Sequence, residues 1–320
     1  MTRPRFVERR VRMHDGVELW TSSSSTADHV HVHVHDQART GLVLVHGGPG
    51  LWDYLEPVAA CVADVVTTHR YDQRGCGRSD PSDVQTLARS VADLEELREA
   101  FGHERWVVFG HSFGAAIATA YAAAHPSRVS AVVWCAGTGS DWPSQRAEAE
   151  ARMASRLTAE QLEEHRRLGA LGQRGRTWVQ EVRWRTLQWL PDHPDPAAAS
   201  SSVVAFAATP LPINEHANRA MAAEEFERDP GEGLAELARL EMPVLVLRGG
   251  EDPRPAQGTL AVAAALPRAE LVVMGGAGHL PWDDQPAEFA HLLRGFFTRL
   301  SQPRATLEPP RSTDHGVTGA

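Results

Sequence analysis

The chain has 320 residues, 42% hydrophobic and 23% charged, a soluble globular balance that excludes the disordered and fibrous classes and leaves room for one large core plus an inserted module. Its formal net charge is −9 and its Lys and Arg residues form no dense run, so nucleic acid is not an expected partner. No stretch approaches the roughly 20 consecutive apolar residues that cross a bilayer, and the opening MTRPRFVERR has charge with no apolar run behind it. No membrane partner is therefore expected, and the expected location is cytoplasmic.

The run His29 to His35 alternates His with Val. In a strand this places four imidazoles on one face and three valines on the other. Alternate strand positions lie about 7 Å apart, so one straight strand cannot wrap several histidines around an ion. The expectation is an outer strand with a solvated face and no metal. Cys61, Cys76 and Cys135 form neither a disulfide framework nor metal-ligand spacing and are expected to be reduced and mostly buried.

From Gly41 onward, apolar runs of strand length alternate with helical patterns, as in a parallel sheet covered on both faces. Gly41 to Val45, Val65 to Tyr71, Trp106 to Phe109 and Val129 to Cys135 are the first four strands, with helices over Thr86 to Phe101 and Phe113 to His125. Between about Ser140 and Gly233 there is no Val/Ile-rich run, only Ala-, Glu-, Arg- and Leu-rich stretches broken by prolines, which predicts a helical insertion. Strands resume at Pro243 to Leu247 and Ala269 to Met274, and a last helix runs from about Pro286 to Leu300. The expected division is a core over 1–139 and 232–302, a helical cap over 140–231, and a disordered tail over 303–320.

Gly110-His111-Ser112-Phe113-Gly114 has the G-x-S-x-G form and stands between an apolar strand and an Ala-rich helix. A sharp strand-to-helix turn needs the glycines because side chains there would meet neighbouring backbone. Ser112 is thus a candidate nucleophile at a helix N-terminus, where free amides favour a developing oxyanion. His46-Gly47-Gly48-Pro49-Gly50 follows an earlier strand, and its glycines let backbone approach the serine. The expected oxyanion donors are the amide of Phe113 and an amide of Gly47 or Gly48, with His46 as a structural hydrogen bonder.

Asp252 follows a late strand and is the candidate for orienting an imidazole. Glu251 is its rival, but the shorter side chain beside Pro253 is the better fixed. His279, in the glycine-rich loop Gly275 to His279, is the candidate general base. Nucleophile, acid and base thus occur in the order Ser112, Asp252, His279, each after its own strand. No metal or other cofactor is implied.

With this order, the chain resembles the α/β-hydrolase superfamily over about Val11 to Cys135 and Gly233 to Leu300. More narrowly, His46 to Gly50 together with Tyr71-Asp72-Gln73-Arg74-Gly75-Cys76-Gly77-Arg78-Ser79 resembles the proline iminopeptidase family. The resemblance implies a mostly parallel central sheet with an inserted helical cap, a Ser-Asp-His triad, and release of N-terminal residues from small peptides or amides. It also implies acidic residues that read a free amino group. Ile213-Asn214-Glu215-His216 is similar to the cap segment that supplies one, which makes Glu215 the substrate-binding candidate, with Trp52 beside it.

The elbow and the Gly249 to Pro253 loop depart from the usual peptidase wording. An esterase or lactonase acting on a small metabolite is therefore the alternative, with a non-catalytic ligand-binding protein as a third reading. Trp142, Trp178, Trp184 and Trp189 are candidates for an apolar pocket in the cap, or for packing it onto the core.

Overall fold

The computed structural model describes residues 4–24 and 40–302. The histidine run and the tail after residue 302 lie outside the described residues. Eight strands form one sheet: β1 (Phe6–Arg12), β2 (Glu18–Ser24), β3 (Thr40–Val45), β4 (Thr68–Tyr71), β5 (Arg105–His111), β6 (Val129–Cys135), β7 (Val244–Gly249) and β8 (Ala269–Met274). Their spatial order is β1-β2-β4-β3-β5-β6-β7-β8. β2 pairs antiparallel with β1 and with β4, and every other neighbour pair is parallel.

Thirteen helices follow in chain order among the described residues: α1 (Glu56–Ala60), α2 (Leu87–Ala100), α3 (Phe113–Ala124), α4 (Trp142–Ser155), α5 (Ala159–Ala170), α6 (Gly172–Gly175), α7 (Trp178–Trp189), α8 (Pro196–Ala207), α9 (Glu215–Glu227), α10 (Pro230–Leu237), α11 (Ala256–Ala265), α12 (Pro281–Asp284) and α13 (Pro286–Leu300). No helix among the described residues is long and apolar enough to cross a membrane.

Strand pleat splits the core into two layers. Val43, Val45, Val108, Val132 and Val246 face one side, where Leu94 and Leu97 of α2, Ile117 and Tyr121 of α3 and Val262 of α11 cover them. Leu42, Leu44, Val107, Phe109 and Leu247 face the other, under Val58 of α1 and Phe289, Leu293 and Phe296 of α13. The central strands are apolar at successive positions because both of their faces are buried.

Two details differ from the sequence reading. Val65 to Thr67 is not strand: the amides of Val65 and Val66 donate to the Val62 carbonyl, so the segment closes a turn and β4 starts at Thr68. The β1–β2 hairpin was not expected, because β1 is an edge strand whose FVERRVR has no alternation to announce it and β2 buries Thr21, Ser22 and Ser24.

Between β6 and β7 the described chain forms only helices, α4 to α10, with a short 3-10 turn at Leu190–Asp192. Thr158 and Thr177 open α5 and α7 with capping boxes closed by Gln161 and Gln180. The fully buried Arg185 guanidinium bonds the Glu181 carboxylate and the Thr209 and Leu211 carbonyls, tying α7 to the segment after α8.

Candidate active site

Ser112 stands between β5 and α3 with φ 54° and ψ −124°, a conformation a non-glycine residue adopts only where its surroundings enforce it. Its amide donates to the Cys135 carbonyl of β6 at 2.9 Å, and its carbonyl accepts from Ala115 at 3.0 Å. The flanking glycines are sterically required: a Cβ on Gly110 would meet the backbone of Gly114 and Ala115, and one on Gly114 would meet the Val45 carbonyl. This is the strained turn that the five-residue motif implies.

Asp252 lies in the loop after β7, and His279 in the loop after β8. Both are buried, and His279 Nδ1 lies 2.8 Å from Asp252 Oδ2. Burial by itself would raise the Asp252 carboxyl, but His279, Arg254 and the Arg254 amide overcome this and hold it well below the usual carboxylate range. Glu251 is exposed; its carbonyl accepts from Arg156.

The His46–Gly50 loop comes against the serine. A Cβ on Gly47 would lie 2.8 Å from Ser112 Cβ and 2.9 Å from the His111 carbonyl. The Gly47 amide donates to the Tyr54 hydroxyl at 2.8 Å, whereas Gly48 lines the pocket beside Ser112. Of the two loop amides, that of Gly47 is thus already engaged by Tyr54. His46 is fully buried; its Nε2 accepts from the Gln73 amide at 3.1 Å and its Nδ1 donates to the Gly47 carbonyl at 2.8 Å. Burial lowers its pKa, as suits a neutral structural imidazole.

Ser112 and His279 line one cavity of about 430 Å³, between the C-terminal ends of β3 and β5 and the inserted helices. Leu51, Met153, Trp189, Phe206, Leu280 and Trp282 supply apolar wall, and Gln188, Asp192, Arg254 and Asp283 supply polar wall. Sequence reasoning missed Tyr54, Asp192, Arg254 and Asp283, because their roles depend on contacts between segments far apart in the chain. For His111 the motif itself was a signal.

Neither substrate-binding candidate lines this pocket. Glu215 opens α9 with its side chain 46% exposed, 3.5 Å from Arg219, and is absent from the pocket wall. The same segment instead docks on the glycine loops: Asn214 donates to the Gly50 and Gly75 carbonyls, and Asn218 to the Pro49 carbonyl. Trp52 is buried behind the wall, 6.1 Å from Trp189 and 5.5 Å from Phe206 between ring centroids. Of the four tryptophans of the insertion only Trp189 lines the pocket; Trp184 stacks on His165, and Trp178 is 49% exposed. All three cysteines are free thiols, with Cys76 and Cys135 buried.

Comparisons with known proteins bear on the family and the fold. A proline iminopeptidase of Neisseria meningitidis is 29% identical over 270 residues, covering 76% of this chain and 83% of that protein. The match to the Neisseria gonorrhoeae proline iminopeptidase is 41% identical over 95 residues but spans only 31% of that protein's length. In structure, the fold is like that of a Mycobacterium smegmatis proline iminopeptidase (TM-score 0.62, 21% identity, 92% of this chain and 99% of that one). It is also like that of a Rhodococcus esterase (TM-score 0.64, 22% identity, 92% and 99%). The family model of the α/β hydrolase fold matches residues 41–286, and the chain belongs to that family, a hydrolase by this membership.

Proposed function

We propose that the protein is a serine hydrolase that works through an acyl-enzyme and releases N-terminal residues from short peptides or small amides. The observation that carries this reading is one pocket lined by both Ser112 and His279, with Asp252 on the far nitrogen of that imidazole. His279 Nε2 takes the Ser112 proton as Oγ bonds to the substrate carbonyl carbon, and the amides of Gly48 and Phe113 receive the oxyanion. Collapse of the tetrahedral adduct breaks the carbon–nitrogen bond, and His279 returns the proton to the leaving amine. Water, deprotonated by the same imidazole, then cleaves the ester and restores Ser112.

In this reading residues 140–231 act as a cap over a core of 1–139 and 232–302, and they close the pocket around a small substrate. Asp283, which lines the pocket where Glu215 does not, is the carboxylate suited to an ammonium group. The likeness to curated proline iminopeptidases supports the peptidase assignment.

The apolar wall favours a second reading, hydrolysis of small esters or lactones by the same three residues, since Leu51, Phe206 and Trp282 suit an acyl chain. A panel of prolyl and alanyl chromogenic amides, acyl esters and lactones separates the two. Ser112→Ala is expected to abolish turnover and fluorophosphonate labelling while leaving the fold intact. Full activity in that variant would overturn the serine mechanism.

A further inference from the structure

We propose that Asp192, contributed by the inserted helices, is a positioning residue for the triad, holding Arg254 and the His279 loop in register with Asp252. This rests on the reading of Ser112, Asp252 and His279 as catalytic. The buried Leu190–Asp192 turn touches both loops that carry the acid and the base. The Asp192 carbonyl accepts from the His279 amide at 2.7 Å, and its carboxylate accepts from Arg254 Nη1 at 2.7 Å. The same Nη1 lies 3.3 Å from Asp252 Oδ1, whose other oxygen bonds His279. Packing leaves little slack, because a Cβ on Gly278 would collide with the Asp192 carbonyl.

The charges explain why an acid is needed there. Asp252, 5% exposed, carries two cationic neighbours: Arg254, and the imidazolium that forms as Ser112 loses its proton. An unshared guanidinium would draw the carboxylate away from His279 and repel the imidazolium. Asp192 shares that guanidinium, so Asp252 stays available to His279. The turn is itself anchored on both sides. Arg156 donates to the Pro191 and His193 carbonyls and to that of Glu251, and His193 Nδ1 lies 2.7 Å from Asp284 Oδ1. Triad geometry is thereby coupled to the placement of the insertion.

The test is the acid limb of the kcat/KM–pH profile, which reports the free-enzyme base. The charged and titratable groups packed around His279 are Asp252 and Arg254 from the loop after β7, with Arg248 of β7 behind Asp252, His111 from the elbow, Tyr54, Asp283 and Asp284 from α12, and Asp192 and His193 from the insertion. Only the varied pair changes in the experiment. Asp192→Asn leaves Arg254 uncompensated and should move the limb to lower pH, on the order of half to one unit, with kcat reduced several-fold and KM little changed. Arg254→Gln should move it to higher pH, and the double variant should return it towards wild type.

A purely structural role for Asp192 lowers activity without opposed shifts. Unmoved limbs in both single variants, measured on protein of native circular dichroism, would overturn the proposal. Should one variant fail to fold, the other decides by its own sign. Failure of the parent reading is separate: the wild-type protein would then not label at Ser112 at all.

Discussion

The Tyr54 hydroxyl and Nδ1 of His111 lie 2.6 Å apart, and through the His111 ring the loop over the nucleophile is joined to the loop that carries His279. His111 Nε2 donates to the His279 carbonyl at 2.9 Å, which leaves Nδ1 to accept from Tyr54, while the Tyr54 oxygen accepts from the Gly47 amide. Burial and the nearby His279 push the His111 pKa well below its usual value, in keeping with a neutral relay.

Tyr54→Phe removes a donor to one partner and an acceptor for another in a buried site. The cost should be about 1–3 kcal/mol of stability, with kcat lowered and KM less affected as the glycine loop loosens. Urea denaturation and steady-state kinetics with one good substrate check this. Wild-type values for both would show that the link carries no weight.

A pH dependence specific to amine substrates should arise from Asp283. Asp283 is exposed at the pocket, yet the protein packed around its carboxyl pushes it up to about 6, against the pull of His193 and with Asp284 adding to the rise. It is therefore charged above that pH and neutral below. KM for aminoacyl amides should rise as pH falls through about 6, while KM for neutral esters should stay flat across the same range. Asp283→Asn should raise the amide KM roughly tenfold and abolish the difference in pH behaviour. Equal KM changes for amides and esters would remove Asp283 from amine recognition.

The tryptophans of α7 should separate by position. Trp189 packs 4.6 Å from Phe206 between ring centroids and lines the pocket, so Trp189→Ala should enlarge the site, destabilise the protein and shift preference towards bulkier acyl groups. Trp178 is half exposed, and Trp178→Ala should leave kcat/KM unchanged. Acyl-length series on the two variants give the comparison; an unchanged preference in Trp189→Ala would take that residue off the substrate path.

Much of the architecture was legible because the central strands are buried on both faces. Val129–Cys135 runs over the bounds of its apolar run, as does the edge strand Ala269–Met274 although half of it is exposed, and α13 spans Pro286–Leu300 as its apolar spacing indicated. The edge hairpin was not legible, since β1 has four consecutive exposed residues and takes its strand form from pairing with β2. Val65 read as strand by propensity, but local hydrogen bonds to Val62 turned it into the end of a helical turn.

The sequence by itself determined the parallel strands of the sheet, the helical insertion and the chain order of Ser112, Asp252 and His279, because apolar strand runs, glycine-required turns and chain order are local properties. Only the tertiary structure decided which Gly of the loop lines the pocket, that Glu215 is not part of its wall, and that Asp192 reaches Arg254 from 62 residues away. Those outcomes depend on how the inserted helices sit on the sheet ends. That placement is set by packing and hydrogen bonds between distant segments, which no local pattern of residues records.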